Sequence, residues 1–375
     1  MKIALVHDWL NVKSGGAERV FFELAKMYPE ADLYSLICNQ KLFAESLNDR
    51  KVQTSFLQYA PGALKKRPQF MLPLIPRAVD NLDFSGYDLI VSSSSAWAKN
   101  IQKPKNCVHI CYCHTPARML WDSWPKYLDG QRIRPFKVGP LSRFIISRTT
   151  SRVRLWDFYG SNRVDHFLAN SNYIADRIRK FYRRGAEVVY PPVNVGQFKS
   201  ATGQEKGSYY LILSVLSKYK NIELVIKTFN KNKLPLVIAG DGPDKDRLIE
   251  LAASSPNIKF LGRVSEAKKI ELLQQAKGLV FANIEDFGLT PVEAMAASTP
   301  VIARRGGGAN ETVVANETGV FFDQDNEDSL NQAITRAEQI NWSENTLLAQ
   351  AKKFSAERFV KKLARVVDSI EGTHE

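Results

Sequence analysis

The sequence predicts an α/β protein built from two doubly wound domains, each a mostly parallel sheet covered by helices. Three observations predict it. Short apolar runs alternate with helix-period stretches along the chain, and strand ends run repeatedly into glycine turns, as at Gly240-Asp241-Gly242-Pro243 and Gly262-Arg263-Val264. A chain of 375 residues with 44% hydrophobic content can also bury two cores of ordinary domain size.

The first domain is expected over residues 1–192. Residues 3–7 read as a strand ending at Asp8-Trp9, followed by the loop Ser14-Gly15-Gly16 and a helix that turns Val20, Phe21, Leu24 and Ala25 inward. Gly15-Gly16 lacks the full Gly-x-Gly-x-x-Gly pattern, so on its own it is a weak phosphate signal. Further strands are expected at 33–37, 89–92, 108–113 and 167–170, the last followed by a helix that Ser171-Asn172 caps. Over 65–77, cations border an apolar run broken by prolines, which suits an interfacial surface better than a core helix. Residues 118–154 mix Arg, Lys and Trp, a composition that can hold a lipid diphosphate or lie at a membrane surface.

The second domain is expected over 193–354, after the break Tyr190-Pro191-Pro192 and the polar stretch 199–208. Strands are predicted at 209–214, 234–239, 258–261, 279–282 and 301–303, with a helix over 222–230. A basic amphipathic helix over 355–370 is expected to cross back to the first domain.

Composition narrows the classes. Residues 1–185 hold 29 Lys/Arg and 15 Asp/Glu, a net +14, whereas 186–375 hold 23 and 24, a net −1. So uneven a charge points to an anionic partner of the first domain: membrane lipid, a lipid diphosphate or nucleic acid. No nucleic-acid motif is present. No apolar run approaches the ~20 residues that span a bilayer, and the chain opens on a strand instead of a signal sequence, so a soluble protein that is not exported is expected. Cys38, Cys107, Cys111 and Cys113 have no disulfide or zinc spacing and read as buried thiols; no metal site is expected.

The stretch with most chemistry is 281–298, Phe-Ala-Asn-Ile-Glu-Asp-Phe-Gly-Leu-Thr-Pro-Val-Glu-Ala-Met-Ala-Ala-Ser. A strand end, a glycine turn and a helix start carry Glu285 and Glu293 eight positions apart, with Thr290 as the expected N-cap and Pro291 as the first helical residue. Gly288 allows close backbone approach, and a helix N-terminus suits a diphosphate, while the carboxylates suit sugar or ribose hydroxyls. A plain capping box, with Glu293 returning to the Thr290 N–H, fits the same residues.

These residues resemble the Glu-x7-Glu signature of retaining glycosyltransferase family 4, and the likeness covers nearly the whole chain. With the Cys-His-Thr-Pro run at 113–116 and the opening Val-His-Asp-Trp-Leu, it is most similar to mannosyltransferases of bacterial O-antigen and capsule assembly. The resemblance implies the GT-B fold, two Rossmann-like domains facing a central cleft. It also implies a nucleotide-sugar donor such as GDP-mannose, a lipid-linked or polysaccharide acceptor, no cofactor or metal, and a peripheral place on the cytoplasmic face of the membrane. Glu285 and His114 are then the catalytic candidates, His114 touching the transferred sugar. Gly15, Gly16, Lys220, Arg263, Val264, Phe287, Gly288, Leu289 and Glu293 are the donor-binding candidates, Lys220 on the diphosphate and Arg263-Val264 at the nucleobase.

One position departs from the pattern. Val215 stands where the family usually has an arginine partnering the lysine at Lys220, so Lys218, Arg263 or the Arg304-Arg305 pair must supply the missing cation. Without such a cation the alternative is a nucleotide-sugar-binding or scaffold protein that performs no transfer. Asp323-Gln324-Asp325 resembles a metal-binding Asp-x-Asp but reads as a solvated helix cap.

Overall fold

The computed structural model describes residues 1–11, 15–65, 68–122, 140–198 and 207–371. They form two compact units, Met1–Val189 and Tyr190–Glu375. Each is built on a parallel sheet.

In the first unit the strands are β1 (Ile3–Leu10), β2 (Asp32–Cys38), β3 (Val52–Thr54), β4 (Leu89–Ser94), β5 (Val108–Cys113), β6 (His166–Ala169) and β7 (Glu187–Val188). Their spatial order is β3-β2-β1-β4-β5-β6-β7. The order reverses direction between β1 and β4, the switch point where the carboxyl ends of strands in such sheets gather ligands. The helix Gly16–Met27 follows β1 and buries Val20, Phe21, Leu24 and Ala25, the expected inward face. Ser171 accepts a hydrogen bond from the Ile174 N–H and caps the helix Asn172–Tyr182.

The second unit contains β8 (Tyr210–Leu213), β9 (Leu236–Ala239), β10 (Ile258–Gly262), β11 (Gly278–Phe281), β12 (Val301–Arg304) and β13 (Gly319–Phe322), in the order β10-β9-β8-β11-β12-β13. Leu211 and Leu279 enter one core cluster, Tyr210, Ile212 and Val280 the other. Burial of both faces is why these strands read as unbroken apolar runs. Val193 donates to the Phe354 carbonyl and accepts from the Ala356 N–H, tying the start of the unit to its last helix, Ala356–Glu371.

Three strands went unpredicted. β3, β7 and β13 lie at sheet edges and are two to four residues long, too short to display a period. The strand over 167–170, the final one expected in the first domain, is therefore not the edge of its sheet: Val188 of β7 pairs with Ala169. The run 65–77, read as a surface and not a core element, supplies both: Met71, Leu72, Ile75, Ala78 and Val79 enter the core, while Phe70 and Leu74 stay exposed, because a 3-10 helix (Pro68–Leu74) and the helix Ile75–Asp80 give the run two faces.

Candidate active site

In the second unit the candidate residues collect at the switch point between β8 and β11. The turn after β8 carries Lys220, and Asn221, at φ +55°, swings the chain into the helix Ile222–Asn232. The loop after β11 carries Asn283 and Glu285. Lys220 Nζ forms an ion pair with Glu285 Oε1, and Asn283 Nδ2 donates to the same oxygen at 3.1 Å. The sequence reading missed Asn283, which lies two residues before the Glu-x7-Glu signature.

The helix after this loop begins earlier than expected. It spans Leu289–Ala296 with Gly288 as N-cap at φ +85°, and no side chain caps it. Thr290 is thus inside the first turn, a correction of the predicted cap. Gly288 is required there: left-handed backbone is strained for any L side chain, and a Cβ would meet the Phe281 ring at 3.2 Å. With the start moved to Leu289, Glu293 is the fifth helical residue, out of capping-box register. It is buried, 3% exposed, and Lys269 Nζ lies 3.0 Å from its Oε1 while also meeting Glu266 at 2.6 Å. Lys269 lies 24 positions from Glu293, so no local pattern announces the pair.

The glycine run after β12 braces the signature loop: Gly308 N–H donates to the Glu285 carbonyl at 2.9 Å, and a Cβ on Gly307 or Gly308 would fall 2.1 Å from that oxygen or 2.2 Å from the Phe287 oxygen. Arg304 pairs with Asp325 at 2.7 Å and Arg305 with Asp323. The Asp-x-Asp run is therefore an ion-pairing partner of the arginines, and the cap of the helix Glu327–Glu338 is Asn326.

Val215 is 57% exposed beyond the end of β8. Lys218 lines a polar pocket with Asp244, Arg247 and Asp325, and its charge helps lower the Asp244 pKa, behind the side chain hydrogen bond from Arg247 and against burial. Arg263, in the turn after β10, is exposed and carries no ion pair among the described residues, while Val264 packs against the core. Leu289 packs on the same core, and the Phe287 ring sits among Tyr190 and Phe354 at centroid distances of 5.7 and 5.5 Å. Phe287 thus gives its ring to the core, leaving only its backbone toward the loop.

In the first unit the switch point between β1 and β4 is equally built. The Asp8 carboxylate accepts the backbone N–H groups of Ser95, Ala96, Trp97 and Ala98, fixing the loop after β4 to the end of β1. Gly15 precedes the helix Gly16–Met27, and the Glu18 carboxyl folds over it: a Cβ at Gly15 would lie 1.7 Å from Glu18 Oε2. Burial raises the Glu18 pKa, its own backbone hydrogen bond opposes this, and the Asp8 charge adds to the rise.

His114 directly follows β5 and is buried, with Nε2 2.8 Å from Ser93 Oγ. His7, which the sequence reading passed over inside the Val-His-Asp-Trp run, places Nδ1 3.1 Å from the same oxygen. Burial pushes the His114 pKa down to about 3, with a smaller contribution from His7, and burial lowers His7 as well. Strand alternation puts His109, Cys111 and Cys113 on the opposite face of the sheet from His114. His109 meets Ser92 Oγ at 2.8 Å, and all four cysteines are free and buried.

Two doubly wound sheets, each with polar residues gathered at its switch point, are the pair of units that the GT-B fold is built from. Comparison with known proteins agrees. A model of Glycosyltransferase Family 4 matches residues 14–197 and one of Glycosyl transferases group 1 matches 196–356. The chain is similar to the alpha-1,3/1,6-mannosyltransferase ALG2 of Mus musculus, at 26% identity over 57% of this chain and 55% of that one, and to ALG2 of Candida albicans, at 24% over 98% of both. The crystal structure of Anabaena Alr3699/HepE in complex with UDP superposes with a TM-score of 0.71 at 19% identity, over 98% of this chain and 100% of that one. The chain belongs to the family 4 glycosyltransferases.

Proposed function

We propose that the chain transfers mannose from GDP-mannose, with retention of configuration, to a lipid-linked or polysaccharide acceptor at the cytoplasmic face of a membrane. The observation that carries this reading is the Lys220–Glu285 pair at the switch point, beside the buried Glu293. A donor diphosphate would take Lys220 from Glu285 and leave that carboxylate to accept hydrogen bonds from the sugar. Glu293, held by Lys269, would accept from the ribose. The departing diphosphate gains from Lys220, from Arg263 and from the partial positive charge at the start of the helix Leu289–Ala296. In a front-face reaction the diphosphate oxygen takes the acceptor's proton, so the protein needs no nucleophile, cofactor or metal ion. The names of the ALG2 relatives support mannose, and UDP in the HepE structure supports a nucleotide-linked donor.

The membrane part rests on the first unit's charge and on Phe56, Tyr59, Leu64, Phe70 and Leu74, which stay exposed there, Tyr59 at 88%. No helix among the described residues is long and apolar enough to cross a membrane. Cations and aromatic rings suit attachment to anionic headgroups, which salt would weaken. Sedimentation with anionic and neutral vesicles at rising salt tests this.

The donor is tested by thermal shift across GDP-mannose, UDP-glucose and GDP alone, since only a bound ligand stabilises the folded state. Stabilisation by GDP-mannose is expected. A shift with UDP-glucose and none with GDP-mannose would reassign the base and sugar.

A further inference from the structure

His7, Ser93 and His114 come from three neighbouring strands, yet they meet at one atom. His7 and Ser93 are paired across β1 and β4, and Ser93 is paired with Tyr112 across β4 and β5. His114 lies two residues beyond Tyr112, so all four side chains stand on one face of the sheet. The Phe21 ring lies 5.1 Å from His7, the Tyr112 ring lies 5.1 Å from His114, and all three polar residues are buried. Ser93 Oγ therefore lies between His7 Nδ1, at 3.1 Å, and His114 Nε2, at 2.8 Å, with no other hydrogen-bond partner among the described residues.

A hydroxyl has one proton to donate. If Ser93 donates to His114 Nε2, then His7 Nδ1 must carry a proton and donate to Ser93, and His114 carries its own proton on Nδ1. If Ser93 donates to His7 Nδ1, then His114 donates from Nε2 and His7 carries its proton on Nε2. Both rings are thus protonated on Nδ1, or both on Nε2. Burial holds both imidazoles neutral near pH 7, so each has a single proton to place. His7 also meets the Ser93 backbone, a contact that works against burial at His7 and ties it further to the same residue.

We infer that Ser93 and His7 are positioning residues which lock the two histidines into one shared tautomer and so decide whether His114 offers the sugar a donor or an acceptor at Nδ1. This rests on the reading of His114 as a contact of the transferred sugar. Neither residue need touch the donor itself. The tautomer is set from the opposite end of a three-residue chain: a proton on Nδ1 makes that atom a donor to a sugar oxygen, and a bare Nδ1 accepts from a sugar hydroxyl.

The experiment has two arms on the full chain. Long-range nitrogen–proton NMR reports the tautomer of each ring: the same tautomer in both is expected in the wild type, with a change at both rings in Ser93→Ala. GDP release from GDP-mannose with water as acceptor is followed for Ser93→Ala, Ser93→Thr, His7→Phe and His114→Gln. Ser93→Ala and His7→Phe should lower kcat roughly tenfold with KM nearly unchanged, and Ser93→Thr, which keeps the hydroxyl, should restore most of it. Opposite tautomers in the wild type overturn the coupling. Unchanged kcat in Ser93→Ala alongside a large loss in His114→Gln overturns the positioning role. Wild-type kcat in His114→Gln instead removes the sugar-contact reading and the functional part with it, while the NMR arm still decides whether the rings are coupled. Circular dichroism melting of each variant separates misfolding, for which Ser93→Thr is the control.

Discussion

Replacing Arg263 with alanine is the substitution that bears most directly on the missing arginine at Val215. The structure ranks the candidate substitutes. Arg304 and Arg305 are engaged by Asp325 and Asp323, Lys220 by Glu285, and Lys218 faces the Asp244 side of its pocket. Arg263 alone among these five is exposed with neither an ion pair nor a pocket acid beside it among the described residues. Removing it should hardly touch stability, since exposed substitutions away from special features stay within about 0.5 kcal/mol. Its loss should instead appear in turnover. One electrostatic donor to a developing anion contributes about 2.7 to 4 kcal/mol, so kcat should fall roughly 100- to 1,000-fold. The assay is GDP release from GDP-mannose at saturating donor, with the melting temperature measured on the same preparation. Val215→Arg placed in the Arg263→Ala background should recover at least part of the loss. Turnover within about twofold of wild type in Arg263→Ala would refute the reasoning, and a parallel loss in Lys218→Ala would move the role to Lys218.

Three further outcomes follow from the geometry. Glu293→Ala should weaken donor binding by about 1 to 3 kcal/mol by calorimetry, because a charged hydrogen-bond acceptor is lost; unchanged affinity with lowered stability would make Glu293 purely structural. Asp157 lies fully buried against Lys99 and accepts from Trp121 Nε1 at 2.8 Å and Tyr182 OH at 2.9 Å, so Asp157→Ala should cost on the order of 3–5 kcal/mol in urea unfolding by stranding a buried cation; a cost under about 1 kcal/mol would contradict the pairing. His109 and His114 have folded pKa values pushed down to about 3, below the ordinary 6.5, so the folded state binds fewer protons than the unfolded chain. Their contribution is complete above pH 6.5 and is lost as pH falls toward 3, at up to about 1.4 kcal/mol per unit for each histidine; a stability profile flat from pH 6.5 to 5 would show that neither is buried neutral.

The parallel sheets were legible because their central strands are buried on both faces and bounded by glycine turns. β7 and β13 were not, since Glu187–Val188 and Gly319–Phe322 are too brief for any period to show. The Glu285 and Glu293 pair could be read from its spacing beside a helix start, yet the start itself was misplaced by two residues because Thr290-Pro291 imitates a cap. What binds these acids came from elsewhere in the chain: Lys220 is 65 positions from Glu285 and Lys269 is 24 from Glu293, just as Ser93 is 86 from His7. Such pairings are set by strand order, which a single sequence leaves open. The same holds for Gly307 and Gly308, whose close backbone approach to the signature loop depends on where β11 and β12 lie.

Proton NMR of GDP-mannose hydrolysis by the purified chain, recorded from the first minutes, tests the central claim most directly. The donor carries mannose in the α configuration, and a retaining enzyme using water as acceptor releases α-mannose before mutarotation mixes the anomers. The account predicts an initial α-anomer signal growing with GDP, absent in Lys220→Ala and strongly reduced in Glu285→Ala. First appearance of β-mannose would contradict retention, and GDP release that persists at the wild-type rate in both variants would contradict the site.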